Sequence, residues 1–278
     1  MAIITRSKMA GTPVISTTGA VPVTLYGASG LETSTQVASK TVAFDGEQGP
    51  STAATLSTAL AGANNDLDYT AATAGSAGND ITIAYVDPAA ISQALAVSVL
   101  ASAITVSLAT DGAGVITSTA GDIDTAIGAL PAAAALVNVA NKAANDGTGV
   151  VIAMAATPLT GGLDPTATLF TVTGVVAVSL FARCTESLAG ASATVAAGTS
   201  SATTTLLPTT TATDIDANEL WHDATPDAAV ELSSILDEEY LVAQDIIQTV
   251  ATAAITDGTL VYYCVWRPIS ANGALVAA

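Results

Sequence analysis

Three short runs of oxygen-bearing side chains are the first candidates for chemistry in this chain. Asp214, Asp216 and Asn218 give the D-x-D-x-N opening of a calcium-binding loop, in which alternate side chains converge on one ion. The loop then fails. Glu219 stands where the sharp bend needs glycine, and Thr225 stands where the ion needs a bidentate glutamate. A turn is expected instead. Asn64, Asn65, Asp66 and Asp68 cluster in the same way and suit a capped turn entering a strand. His222, the only histidine, stands beside Asp223. No nucleophile lies at a recognisable spacing from it, so no catalytic triad can be argued and a surface or trimer-axis histidine is expected. Asp237, Glu238 and Glu239 read as a solvated turn. Paired carboxylates acting on a glycan need a cleft lined with aromatics, and Trp221 and Trp266 are the only tryptophans. The glycines at 75–78 and 112–114 are followed by no Lys-Ser or Lys-Thr, so they mark turns rather than phosphate loops. A non-enzymatic protein with no catalytic residues, no metal and no cofactor is expected.

The elements that would position these residues are mostly strands. Residues 61–164 form the stretch around which the chain is organised. Leu67, Tyr69 and Ala71 alternate with polar residues, as do Ile81, Ile83 and Tyr85, then Leu95, Val97 and Val99, then Ile104, Val106 and Leu108. Period-2 alternation of this kind predicts half-buried antiparallel strands with one wet face. Ser118 or Thr119 can cap a helix starting near Ala120, with Ile123, Ile127 and Leu130 as its apolar stripe and Pro131 as a break. Strands are expected again at 137–140 and 150–155. Beyond a turn-rich boundary at 160–165, residues 169–182 form a long β run broken at Gly174. Residues 190–208 suggest strands with threonine-rich faces, and 235–250 suggest further strands. Residues 259–268 (TLVYYCVWRP) are the strongest strand, with three of the chain's aromatics at a core or an interface, and the tail from Ser270 suits pairing along an edge.

Together these predict a mainly β chain with antiparallel sheets. An extended N-terminal arm and bridge cover residues 1–60. An α+β domain covers 61–164, and a β-rich, sandwich-like domain covers 165–278.

Composition limits what such a chain can do. Half the residues are hydrophobic, yet aromatics are 4% and charged residues 11%, so the apolar share is largely Ala and Val. Cores built this way are thin, and packing against further copies is expected. The net charge is −18. Arg6, Lys8 and Lys40 sit among the first 40 residues beside the single acid Glu32, whereas residues 41–278 hold 3 basic and 23 acidic residues, a balance of −20. A body this acidic repels phosphate backbones, so nucleic acid is not an expected partner. The basic arm suits an acidic neighbour or free solution equally well. Cys184 and Cys264 lie in or beside apolar β runs and suit buried thiols; whether they pair is open. The first residues lack the apolar core of a signal peptide. The uncharged stretch 88–110 alternates with period 2 and is rich in Ser, Thr and Ala, so it predicts strands and no membrane span.

The stretch ALAGANNDLDYTAATAGSAGNDITIAYVDP, with its continuation through NDGTGVVIAMAATPLTGGLD, resembles a module found in head, tail and fibre proteins of tailed bacteriophages. The run from LFTVTGVVAVSLFA through TLVYYCVWRPISANGALVAA is similar to β-rich proteins encoded beside phage capsid genes. The long spine helix of a major capsid protein and the repeats of a fibre shaft are missing from the pattern. The resemblance implies a capsid decoration (cement) protein, assembled in the host cytoplasm and lying on the virion's outer capsid surface. Its implied partners are the major capsid protein and further copies of itself, as a trimer. Candidate capsid or subunit contacts are Arg6, Lys8 and Lys40 of the arm with Tyr262, Tyr263, Trp266 and Arg267 of the strongest strand. A tail or fibre component binding a host surface is the alternative.

Overall fold

The computed structural model describes residues 35–228 and 239–278. It is mainly β and falls into two compact units. One is Pro50–Pro165; the other joins the described residues up to Gly49 with Thr166–Ala278. The first described strand, β1 (Gln36–Ala43), therefore belongs with the C-terminal part of the chain. It pairs along its whole length with the strand Asp257–Pro268. The bridge expected over residues 41–60 is thus shared between the units: β1 closes one sheet, and the chain from Pro50 enters the other unit. Of the arm expected over residues 1–40, residues 1–34, with Arg6 and Lys8, lie outside the described residues.

In the unit Pro50–Pro165 the chain forms β2 (Thr55–Ser57), β3 (Leu67–Ala71), β4 (Thr82–Val86), β5 (Ala96–Leu100) and β6 (Ala103–Ser107), then helices α1 (Ala120–Ala129) and α2 (Pro131–Ala134), then β7 (Val137–Asn141) and β8 (Met154–Pro158). Two sheets result, in the orders β2-β3-β7 and β5-β6-β4-β8. The alternation expected from sequence decides what is buried. Leu67, Tyr69, Ile83, Tyr85, Ile104, Val106 and Leu108 join Ile123 and Ile127 of α1 in one core. Burial of each such large side chain contributes about 1.5–3 kcal/mol.

Pairing is antiparallel except between β4 and β6, which run parallel. The chain reverses at β5 and again at the Ala101–Ser102 turn, so β6 returns beside β4 in the same direction. The strand expected at 150–155 is displaced to β8. The backbone at Val150 and Val151 is already engaged: Val150 O accepts from the Asn65 side chain, and the Val151 amide donates to Ser118 O.

Helix α1 begins where the sequence places it. The Thr119 hydroxyl accepts from the Asp122 amide, while the Asp122 carboxylate accepts from the Thr119 amide. Two otherwise orphaned donors are thus satisfied. Hydrogen bonds from the Thr119 amide and hydroxyl hold the Asp122 carboxyl below its usual range. The helix stops at Leu130 because Pro131 has no N–H to continue the ladder.

The second unit holds β9 (Thr166–Thr173), β10 (Val176–Ala189), β11 (Thr194–Thr199), β12 (Ala202–Thr211), β13 (Glu219–Trp221), β14 (Asp227–Ala228), β15 (Tyr240–Val242), β16 (Ile246–Ala251), β17 (Asp257–Pro268) and β18 (Ala274–Ala277). One sheet has the order β1-β17-β10-β13-β14, with β15 also on β10; the other has the order β12-β11-β16-β9-β18. Their inner faces share a single apolar core, which makes the unit a β-sandwich. The break at Gly174 is real. Its φ is +65°, and a Cβ there would lie 2.4 Å from the Ser270 hydroxyl, so the tight bend by which the chain leaves β9 for β10 in the other sheet suits only glycine. The tail pairs along β9 through β18, as expected.

Three buried tyrosines supply a pH test. The Tyr69 and Tyr85 hydroxyls meet at 2.5 Å inside the first core. The Tyr262 hydroxyl donates to Gln248 Oε1 at 2.7 Å inside the second. Burial raises all three phenols, Tyr85 to about 12 and Tyr69 and Tyr262 well above their ordinary value. In the unfolded chain they titrate near about 10. Their neutral, buried forms therefore favour the fold fully below that pH, and this contribution is lost as the pH rises above it, for Tyr85 through about 12. In an alkaline titration followed by tyrosinate absorbance, three of the six tyrosines are expected to ionise only together with the loss of tertiary circular dichroism. Ionisation of all six ahead of unfolding would contradict this packing.

Candidate functional site

The aromatic strand β17 alternates strictly. Leu260, Tyr262, Cys264 and Trp266 enter the sandwich core, while Val261, Tyr263, Val265 and Arg267 point to the other side of the sheet. Register extends this outer face onto the neighbouring strands. Tyr263 stands opposite Ser39 of β1 and Phe181 of β10; Val265 stands opposite Val37 and Ser179; Val261 stands opposite Thr41 and Arg183. Leu241 of β15 joins the same face through its pairing with Ala177. The result is an outward apolar and aromatic patch with an arginine at each end.

Its centre is the Phe181–Tyr263 pair, stacked with centroids 5.2 Å apart and planes 18° from parallel. Its margins include Val37 and Leu241, which are 65% and 72% exposed. Apolar side chains this open, gathered on one regular surface, are a feature of interaction sites. Aromatic and arginine side chains are those that most often dominate binding energy.

The electrostatics of the face are local. Arg267 grips Glu239 in a two-point contact, Nε donating to Oε1 at 3.1 Å and Nη2 to Oε2 at 2.6 Å. This pair lowers the Glu239 carboxyl and raises the Arg267 guanidinium relative to their ordinary values. Both groups are exposed, and surface pairs of this kind contribute about 0–1 kcal/mol. The pair orients the guanidinium more than it stabilises the fold. Arg183 Nη2 donates to Asn218 Oδ1 at 3.4 Å at the opposite end.

Of the residues singled out from sequence, Tyr263 and Arg267 lie on this face. Tyr262 and Trp266 lie on the core side of the same strand, where Trp221 packs edge-on to Tyr262 with centroids 6.2 Å apart. Lys40 points to the core side of β1 and donates from Nζ to the backbone carbonyl of Ala278. Phe181, Arg183, Val37 and Leu241 went unnoticed in the sequence. The signal was there in β10: in VAVSLFARC, alternate positions give Ala177, Ser179, Phe181 and Arg183, but uniform apolarity hid the alternation.

The other candidate groups resolve into structure. Asp214, Asp216 and Asn218 form a turn in which the Asp216 amide donates to Glu219 Oε2 and Asn218 adopts φ +76°. Asp66 accepts from the Thr58 hydroxyl and the Leu60 amide, and Asn65 braces Ala61 and Val150. The His222 side chain is 5% exposed, with Nδ1 3.9 Å from Asp223 Oδ2, so of the expected surface or trimer-axis histidine the surface position is not what the single chain shows. Cys184 and Cys264 are separate buried thiols, pushed up to about 11 and about 12 chiefly by burial, and they form no disulfide. Among the described residues no cluster of three or more His, Cys, Asp or Glu is placed to hold a metal ion. No described helix is long and apolar enough to cross a membrane.

Comparison with protein-family models, with curated proteins and with solved structures finds no match.

The two sides of β17 separate by mutation. Trp266→Ala is expected to cost about 3–5 kcal/mol, as large core deletions do. Tyr263→Ala removes a surface stack and is expected to cost on the order of 1 kcal/mol. Denaturant unfolding of the two variants checks this. Equal losses would contradict the assignment of sides.

Proposed function

We propose that this chain is a non-enzymatic virion protein of a tailed bacteriophage that decorates and stabilises the capsid by binding its outer surface. The observation that carries the reading is the outward face of the six-stranded sheet. It joins a stacked aromatic pair, open valine and leucine side chains and two of the chain's six basic residues in an otherwise acidic protein. The resemblance of residues 59–164 to a module of phage structural proteins supports the same reading. The proposed partner is the major capsid protein, with the decoration protein itself acting as a trimer on the mature shell. Energy would come from burial of the apolar patch and from strand pairing, both of which stabilise without chemistry. The arm with Arg6 and Lys8 is a second proposed contact.

Binding to mature empty capsids tests this. Wild type should bind saturably and raise the capsid's melting temperature. Phe181→Ser with Tyr263→Ser should weaken binding by at least about tenfold, or about 1.4 kcal/mol. Val115→Ser, an exposed position in the other unit, should leave it unchanged. Truncation should remove only residues 1–34, because a cut after Lys40 would sever β1 from β17. Absence of capsid binding, with retention on host cells, would overturn the decoration reading in favour of a tail or fibre role.

A further inference from the structure

Strand β5 is the outer strand of the four-stranded sheet β5-β6-β4-β8. Exposed strand edges present unpaired N–H and C=O groups, and proteins usually blunt them with charge, proline, irregular register or shortness. Most other edges among the described residues carry such features. Pro158 and a register shift mark β8; Pro208 and two shifts mark β12; Asp227 lies on β14; Lys40 lies on β1; β2 and β18 have three and four residues. β5 and β7 each have five residues in unbroken register and none of these protections, but Lys142 follows β7 directly, and β5 lies in a longer uncharged stretch. The chain has no charged residue between Asp87 and Asp111.

The edge also has a defined set of free groups. Leu100 and Ala103 close a two-residue turn in which Ala101 has φ +52°. The closing pair of such a hairpin is hydrogen-bonded, and the antiparallel ladder then alternates. Leu100, Ser98 and Ala96 thus direct their amides to β6, while Val97 and Val99 direct theirs outward. Leu100 is 82% exposed.

We propose that two copies of this chain join through β5, edge to edge and antiparallel, about a two-fold axis at Ser98. Val97 of one copy then exchanges both backbone hydrogen bonds with Val99 of the other, and Ser98 faces its own counterpart. Leu100 gains Ala96 of the second copy as a neighbour, and the two four-stranded sheets become one. Charge selects this occupant. Copies of a chain at −18 repel one another, and the β5 seam lets them approach with no carboxylate in the contact. The contact is independent of the capsid reading, because it is measured on the free protein.

Ser98 is exposed and opposes itself across a non-hydrogen-bonded pair, where Cα atoms are about 4.5 Å apart, within disulfide reach. Under mild oxidation, full-length Ser98→Cys is expected to form a covalent pair, while Ala96→Cys on the same strand face is not. The two native cysteines are buried and should not interfere. Ser98→Lys places like charges face to face. It should lower the molar mass read by light scattering about twofold, as loss of one two-fold contact requires, with the melting profile of each unit kept. Cross-linking of Ser98→Cys no faster than that of Ala96→Cys, or an unchanged mass for folded Ser98→Lys, would overturn the proposal.

Discussion

The period-2 alternation of β17 is the constraint on which the sandwich unit depends. One side of this strand supplies Leu260, Tyr262, Cys264 and Trp266 to the core. The other supplies Val261, Tyr263, Val265 and Arg267 to the outer face. A slip of one residue would exchange the two sets and place a guanidinium inside the sandwich. The register is therefore held from both sides, by β1 and by the long β10. Polar anchors fix it further, since the Tyr262 hydroxyl meets Gln248 of the opposite sheet and the Trp221 indole donates to Thr210. A buried hydroxyl that loses such a partner costs about 1–3 kcal/mol, so these contacts resist a shift.

The unit Pro50–Pro165 uses the same physics with a different balance. Its core is built from isoleucine, leucine, valine, alanine and two tyrosines, and the tyrosines satisfy one another. Its loops are held by short acidic and amide side chains. Asp111 accepts from the Ala113 and Val115 amides, and Asp146 accepts from the Thr148 amide and hydroxyl. These bonds lower both carboxyls and account for acids that would otherwise suggest a cation site. Much of the chain's negative charge is thus local turn chemistry. Among the described cations, Lys142 holds a loop by donating to Thr58 O at 2.8 Å.

Much of this fold was legible in the sequence because alternation, caps and breakers are local signals. Leu67, Tyr69 and Ala71, the Thr119 cap, the Pro131 break and the Gly174 break each stand where the pattern puts them. What was not legible depends on distant pairing. The sequence could not show that residues 36–43 close a sheet with residues 259–266, because nothing local links them. The parallel match of β4 with β6 was hidden for the same reason. At the candidate site, Tyr263 and Arg267 stood out by residue type. Phe181 and Arg183 needed the register of β10 against β17 to bring them alongside. Tyr262 and Trp266 drew notice for the same aromatic character, but alternation turns them inward.

Hydroxyl-radical footprinting of the full chain, free and on mature capsids, tests the central claim that the outer face of the β1-β17-β10 sheet is the docking surface. Tyr263 and Phe181 should lose reactivity on the capsid, while Ile91 and Val115 in the other unit keep theirs. Unchanged reactivity at Tyr263 and Phe181, with protection at Ile91 and Val115, would contradict it and move the contact to the unit Pro50–Pro165.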